Sequence, residues 1–200
     1  MFYETEKNDH GLPHNPFKAI VAPRPIGWIS SLDQEGKPNL APYSFFNAVC
    51  DTPPIVMFSS SGYKDSVGNV DATGEFVCNM VSLDLKDQMN QSSAAVPHGT
   101  SEFDLSGLDM APSRLVKAPR VANAVTALEC KHLQTLRMSG LDGTETDSYV
   151  VFGQVVGIHI DDSVLVDGLV DVTRYKPLSR LGYMDYAAVG EVFQMGRPKV

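Results

Sequence analysis

The chain has 200 residues and a mass of 21.7 kDa, with 43% hydrophobic and 20% charged residues, a mixture that fits one globular domain with its own core. Sixteen Lys and Arg against 24 Asp and Glu leave a net charge of −8, which argues against a general nucleic-acid surface and against attraction to anionic lipid. The three cysteines, Cys50, Cys78 and Cys130, are odd in number and lack Cys-x-x-Cys spacing, so they read as reduced, buried thiols and not as a disulfide framework or zinc site.

No apolar run reaches the length of a membrane span, and Met1 to His10 is polar, without a secretory stretch. The expectation is therefore a cytoplasmic protein that binds neither membrane nor nucleic acid. No repeat or low-complexity tract divides the chain, which reads as a single domain over residues 1–200.

The first structured stretch is hairpin-like. A strand over Ile26–Leu32, a turn at Asp33–Lys37 and a second strand over Leu40–Cys50 follow one another. Asp51-Thr52-Pro53-Pro54 ends that strand, since two prolines forbid helix and ladder alike. Ile55–Ser59 is a short apolar strand, and Ser60-Ser61-Gly62 a turn. A helix starts at Lys64-Asp65-Ser66, with Asp65 as N-cap, Val67 and Val70 on one face and Gly74 as stop. Phe76–Val81 reads as a strand, Leu83–Met89 as a short helix, and 92–120 as mostly loop.

The second half is more plainly β. Ala127–Arg137 alternates, and Tyr149–Ile160 is a β-branched run with Gly153 and Gly157 as candidate bulges. The tail from Asp171 to Tyr186 is left open. Six or seven strands that do not alternate with helices point to an antiparallel barrel or sandwich with helices outside it.

Phosphate-loop, dinucleotide, nucleophile-elbow and zinc-protease motifs are all missing. His10 and His14 are separated by Gly11 and Pro13, which spoils a helical metal pair, and no metal is expected. Two stretches offer anion chemistry. In Pro23-Arg24-Pro25 the prolines hold a guanidinium in extended backbone at the mouth of a strand, suited to phosphate; a solvated arginine before an edge strand fits the same residues. In Ser59-Ser60-Ser61-Gly62-Tyr63-Lys64-Asp65-Ser66, hydroxyls and a lysine meet a helix N-terminus, where free amides and the helix dipole favour an anion; an ordinary capped helix fits as well. Between them, Asn39–Asn47 combines hydroxyls and aromatics without charge, as a slot for a flat heteroaromatic ligand or as plain barrel core. Trp28, the single tryptophan, suits core packing.

Arg24-Pro25-Ile26-Gly27-Trp28-Ile29-Ser30, Pro38–Phe46 and Lys64-Asp65-Ser66-x-x-Asn69 resemble the flavin reductase-like, FMN-binding split-barrel family. Ala127–Lys131, Gly153–Ile160 and Tyr175–Gly182 ahead of Tyr186 continue the likeness in the same order, from about residue 15 to 187. The resemblance implies a mainly β fold, a Greek-key antiparallel split β-barrel with a few peripheral helices, forming a homodimer with FMN near the subunit interface. It puts Arg24, Lys64 and Ser66 on the phosphate with Ser59 and Ser60 beside it. The backbone of Pro25, Ile26, Gly27 and Trp28 and of Ala41, Tyr43 and Phe45 would line the flavin, with Ser44 as a hydrogen-bonding side chain. Arg180 and Tyr186 would reach its edge. One departure is Tyr183, which follows Gly182 where the family often has a second glycine and narrows the space beside the ring.

The implied activity is hydride transfer from NADH or NADPH to flavin N5, the reduced flavin serving oxygen, a partner oxygenase or another acceptor. Such transfer needs close stacking and not a strong general base, so no catalytic side chain is assigned, and His98 and His159 read as structural. An FMN carrier without nicotinamide activity, and a barrel that has lost the cofactor, are the other readings.

Overall fold

The alternating and β-branched runs build one large antiparallel sheet, whose curvature decides where a ligand can sit. The computed structural model describes residues 1–97 and 99–198. In chain order its elements are α1 (Phe17–Ile20), β1 (Arg24–Pro25), β2 (Gly27–Leu32), β3 (Pro38–Tyr43), β4 (Phe46–Asp51), β5 (Pro54–Ser61), α2 (Asp65–Thr73) and β6 (Glu75–Met80). Then come α3 (Lys86–Gln91), α4 (Glu102–Ser106), β7 (Met110–Ala111), β8 (Arg120–Val121), β9 (Thr126–Ser139) and β10 (Glu145–Ile160). Short pieces close the chain: β11 (Leu165–Val166), β12 (Leu169–Val170), α5 (Val172–Tyr175), β13 (Leu178–Arg180) and β14 (Tyr186–Ala188).

Seven strands lie in the order β3-β2-β6-β9-β10-β5-β4, every neighbouring pair antiparallel. β2 and β4 are second and last in that order, yet a Cβ on Gly27 would run into the ring of Phe46. The sheet has therefore rolled up on itself. β3 and β4 form no ladder with each other, so the barrel stays open between them. This is the expected Greek-key antiparallel split barrel with peripheral helices.

Two cores hold it. Inside the barrel, Phe46, Phe58, Phe76, Cys78, Cys130 and Val151 pack with Val67 and Val70 of α2. Side chains of this size each stabilise by about 1.5–3 kcal/mol when fully buried. Outside it, Trp28 and Leu40 pack with Met89 of α3, Phe103 of α4 and Leu178 of β13. The Trp28 indole donates to Ser92 Oγ at 2.8 Å, and Ser92 donates to Met89 O at 2.8 Å, which fixes the segment leaving α3. The bulges expected at Gly153 and Gly157 coincide with register shifts between β9 and β10.

Several elements differ from the sequence expectations. Leu40–Cys50 is two strands: the chain leaves β3 at Tyr43, and Ser44-Phe45 carries it to the far edge, where Phe45 O accepts from Ser59 N at 2.8 Å. Asp51 and Pro54 remain paired in the register of a tight β4–β5 hairpin, so the prolines stand at its turn and do not abolish the ladder. β5 continues through Ser61, and the N-cap is Lys64, with Asp65 inside the helix. Within 92–120, Ser101 Oγ caps α4 by accepting from Asp104 N at 3.4 Å, and β7 pairs with β8. Cys78 and Cys130 are buried as expected, but Cys50 is exposed because β4 is an edge strand whose residues after Phe46 are exposed on both faces. Among the described residues, no helix is long and apolar enough to cross a membrane.

Candidate functional site

β3 turns toward solvent just where α2 begins, and a cavity of about 400 Å³ lies between them. Asn39, Ala41, Pro42 and Tyr43 form one wall, Lys64, Asp65 and Ser66 a second, and Ser92–Val96 with Glu102 the rest. Gly62, at φ +93°, takes the left-handed conformation that swings the chain out of β5, and Lys64 follows in extended backbone before the first helical turn. Val67 and Val70, buried in the barrel, pin that turn. The first amides of α2 thus end beside Lys64 at the cavity wall, with the positive end of the helix dipole.

Ser66 is buried and accepts from Asn39 Nδ2 at 2.9 Å, tying β3 to α2. Burial pushes the Tyr43 phenol up, and hydrogen bonds with the Ser66 and Ser60 side chains partly oppose that shift. Ser60 donates to Gly62 O at 2.8 Å. Glu102 enters from α4: its Oε2 accepts from Leu40 N at 3.0 Å. Burial pushes the Glu102 carboxyl up, and the Leu40 amide pulls it partly back. One ammonium, Lys64, therefore shares this cavity with two carboxylates, Asp65 and Glu102, the second held above the ordinary carboxylate value by burial.

A second cavity, of about 310 Å³, adjoins the first through Pro42 and Ser93, which line both. Its wall carries Lys18, Arg24, Ile26, Ser44, Arg180 and Tyr186, with Tyr183 beside them. Arg24 is 6% exposed. Its guanidinium donates to Lys18 O and Val21 O, and to Leu181 O at 2.7 Å, joining the N-terminal turn to the C-terminal strands. The two cavities together fall in the size range of cofactor sites.

The expected residues divide accordingly. Ala41, Tyr43, Lys64 and Ser66 line the first cavity; Arg24, Ile26, Ser44, Arg180 and Tyr186 line the second. Arg24, expected beside Lys64 on one phosphate, thus stands on the neighbouring cavity. Phe45 lies near it, with Arg24 5.7 Å and Lys18 6.0 Å from the ring centroid. Pro25, Gly27, Trp28, Ser59 and Ser60 line neither: Gly27 faces Phe46, Trp28 is core, and Ser60 braces the turn. Asn39, Glu102, Lys18 and the 92–96 segment are additions that the motifs did not mark. Tyr183, singled out as a departure, does line the second cavity. His159 is structural, bonded to buried Glu129, while His98 lies outside the described residues.

Known proteins resemble the chain over nearly its whole length. The family model described as "Flavin reductase like domain" matches residues 21–179. An uncharacterized protein of Aquifex aeolicus is 39% identical, the alignment covering 96% of this chain and 97% of that one. The crystal structure of nitrilotriacetate monooxygenase component B from Bacillus cereus superposes with a TM-score of 0.85 at 30% identity, over 96% of this chain and 95% of the other. That of the Pseudomonas fluorescens 2-nitrobenzoate 2-nitroreductase NbaA gives 0.82 at 27% identity, over 98% and 93%.

Proposed function

The chain belongs to the flavin reductase-like domain family, and from that premise we propose that it is an FMN-binding oxidoreductase using NADH or NADPH as electron donor. The observation that carries this reading is the pairing of Lys64 and Ser66 at the start of α2 with the uncharged Ala41–Tyr43 strand across one cavity. Lys64 has no salt-bridge partner among the described residues. Its ammonium and the leading amides of α2 suit a phosphate dianion. Ser59 and Ser60 stand behind this end of the site, on β5.

The same strand runs on toward the second cavity, so Ala41, Pro42 and Tyr43 offer a wall for the flat ring within the first, and Ser44 and Phe45 follow at its edge. Gly27 and Trp28 back that wall from β2, where Gly27 opposes Tyr43 and Trp28 opposes Pro42. When bound, FMN supplies the hydride-accepting position, N5. The chain's own part is to hold the phosphate, fix the ring against β3 and leave a face open to the donor.

The similarity to a monooxygenase component B supports a partner oxygenase as one destination for the electrons, and the similarity to a nitroreductase supports direct reduction of a small molecule as another. We also assign the protein to the cytoplasm and to a homodimer. The test is the visible spectrum of protein purified without added flavin, followed by mixing with FMN and either nicotinamide. A yellow protein that oxidises NADH or NADPH is expected. A yellow protein reduced by dithionite but by neither nicotinamide would be a carrier, and one that shows no flavin binding would end the reading.

A further inference from the structure

β1, β13 and β14 form a small three-stranded sheet apart from the barrel. Arg24 stands directly opposite Arg180 across β1 and β13, and Arg180 directly opposite Tyr186 across β13 and β14. Opposed residues of an antiparallel pair present their side chains on one face, and like charges placed this way repel. Two arginines in that register are unfavourable unless something negative comes between them.

Among the described residues nothing does so. The second cavity is lined by Lys18, Arg24 and Arg180 and by no Asp or Glu, in a chain of net charge −8. None of the three cations has a salt-bridge partner among the described residues. Their hydrogen bonds run to neutral groups: Arg24 to three carbonyls, Arg180 to Tyr183 O. Arg24 is nearly inaccessible, and its Nε is a buried donor without a partner. Buried charges are ordinarily paired, and an orphaned donor of this kind calls for an explanation. Burial and the neighbouring charge of Arg180 also hold the Arg24 guanidinium below its usual basicity.

Around these cations the remaining groups suit a small organic anion. Ser44, Ser93, Tyr183 and Tyr186 bring hydroxyls, and Arg180 lies 4.3 Å from the centroid of the Tyr186 ring. On its far side Arg180 borders a hollow holding Asp87, but that carboxylate bonds Lys86 at 3.0 Å. We propose that this second cavity is an oxyanion site, distinct from the one at Lys64, that takes the carboxylate or phosphate of the small molecule exchanging electrons with the flavin. The identity of that ligand rests on the flavin reading above; the oxyanion site itself does not. Because Pro42 and Ser93 border both cavities, an anion held here lies next to whatever fills the first.

Calorimetric titration of flavin-free protein with benzoate, inorganic phosphate and oxidised NADP tests the site. At least one probe is expected to bind, tenfold or more weakly in Arg180→Gln, and to bind Lys37→Gln, an exposed lysine away from both cavities, as it binds the parent. Should Arg180→Gln fail to fold, Lys18→Gln, at an exposed side chain of α1, decides by the same loss. Benzoate as the tightest ligand marks a carboxylate substrate, NADP a nucleotide, and phosphate alone a free phosphate. Absence of binding by all three overturns the proposal, as does binding that Arg180→Gln or its substitute leaves unchanged. No flavin is present in these titrations, so a failure of FMN to bind would strike the flavin reading and leave this result standing.

Discussion

Lys64 is a single exposed ammonium at the mouth of a helix, and its worth depends on what it faces. A charge-assisted bond contributes roughly 1.5–3 kcal/mol, equivalent to tenfold to a hundredfold in affinity. Lys64→Gln is therefore expected to weaken FMN by that factor while leaving riboflavin, which has no phosphate, as it was. Fluorescence titration with the two flavins measures the difference, and equal losses for both would place the phosphate elsewhere. Glu102 works in the opposite sense. Burial holds its carboxyl above the ordinary value, so between that value and the raised one the folded chain binds the extra proton. Its contribution favours folding at low pH and is lost as pH rises through this window. Glu102→Gln removes the titration, so thermal melts of variant and parent should converge in acid and separate toward neutrality, with the variant the more stable. A gap that does not change with pH would refute the assignment. Of these residues only Lys64 was legible in the sequence, because Lys-Asp-Ser after a strand carries a local signal. Glu102 reaches the site through the amide of Leu40, far along the chain, and no local pattern records that contact. Arg24 was legible as a cation held by prolines, but its cavity is fixed by pairing with Arg180.

At the scale of elements, the long strands were readable because alternation and β-branching are local. The division of Leu40–Cys50 into β3 and β4 was not: the aromatic residues continue through it, no Gly marks the step across the open side of the barrel, and Pro42 lies within β3 before it. The 112–118 segment was hidden for a similar reason, since two carboxylates hold it from the sheet: Glu75 of β6, which accepts from Lys117 N at 2.5 Å, and Glu129. Glu129, fully buried on β9, accepts from Arg114 N at 2.8 Å, Leu115 N at 2.6 Å and Val116 N at 3.1 Å, and bonds His159 of β10. Burial alone would raise this carboxyl, but the Arg114 amide, His159 and the Leu115 amide outweigh it, and the net shift is downward. A lowered folded value means stability that is full above the ordinary carboxylate range and lost as pH falls through the lower one. Glu129→Ala removes three amide hydrogen bonds to a buried carboxylate at about 1 kcal/mol or more each, and a chain of this size loses roughly 2–4 °C in Tm per kcal/mol. A fall of about 6–12 °C at neutral pH is expected, with a smaller gap in acid where the parent carboxylate is protonated. A change within 2 °C (roughly one unit on that scale) would show that the segment holds without it.

The whole molecule leaves apolar side chains exposed at both ends of the ribbon made by its two longest strands. Leu133, Leu136 and Met138 of β9 and Val156, Ile158 and Ile160 of β10 are all exposed, and Val49 stands open on the edge strand β4. Isolated exposed hydrophobics are ordinary, but here they form two groups, since Leu136 stands opposite Val150 and Ile158 opposite Leu128, and each group is a surface open to a partner. A stable interface buries about 1,200–2,000 Å² in total, which strands as long as β9 and β10 have the reach to supply. This supports the homodimer. Sedimentation equilibrium at micromolar concentration should therefore give twice the chain mass of 21.7 kDa. Leu136→Lys, a charge on the exposed part of β9 and away from both cavities, should shift the equilibrium toward monomer without lowering the melting temperature of the isolated chain. A native protein that sediments at the chain mass would refute the dimer, and a Leu136→Lys variant that stays dimeric would move the interface to the face carrying Ile158. The same samples titrated with FMN would report whether the flavin site is complete within one chain, since a monomeric variant that still binds FMN with parent affinity needs nothing from a partner.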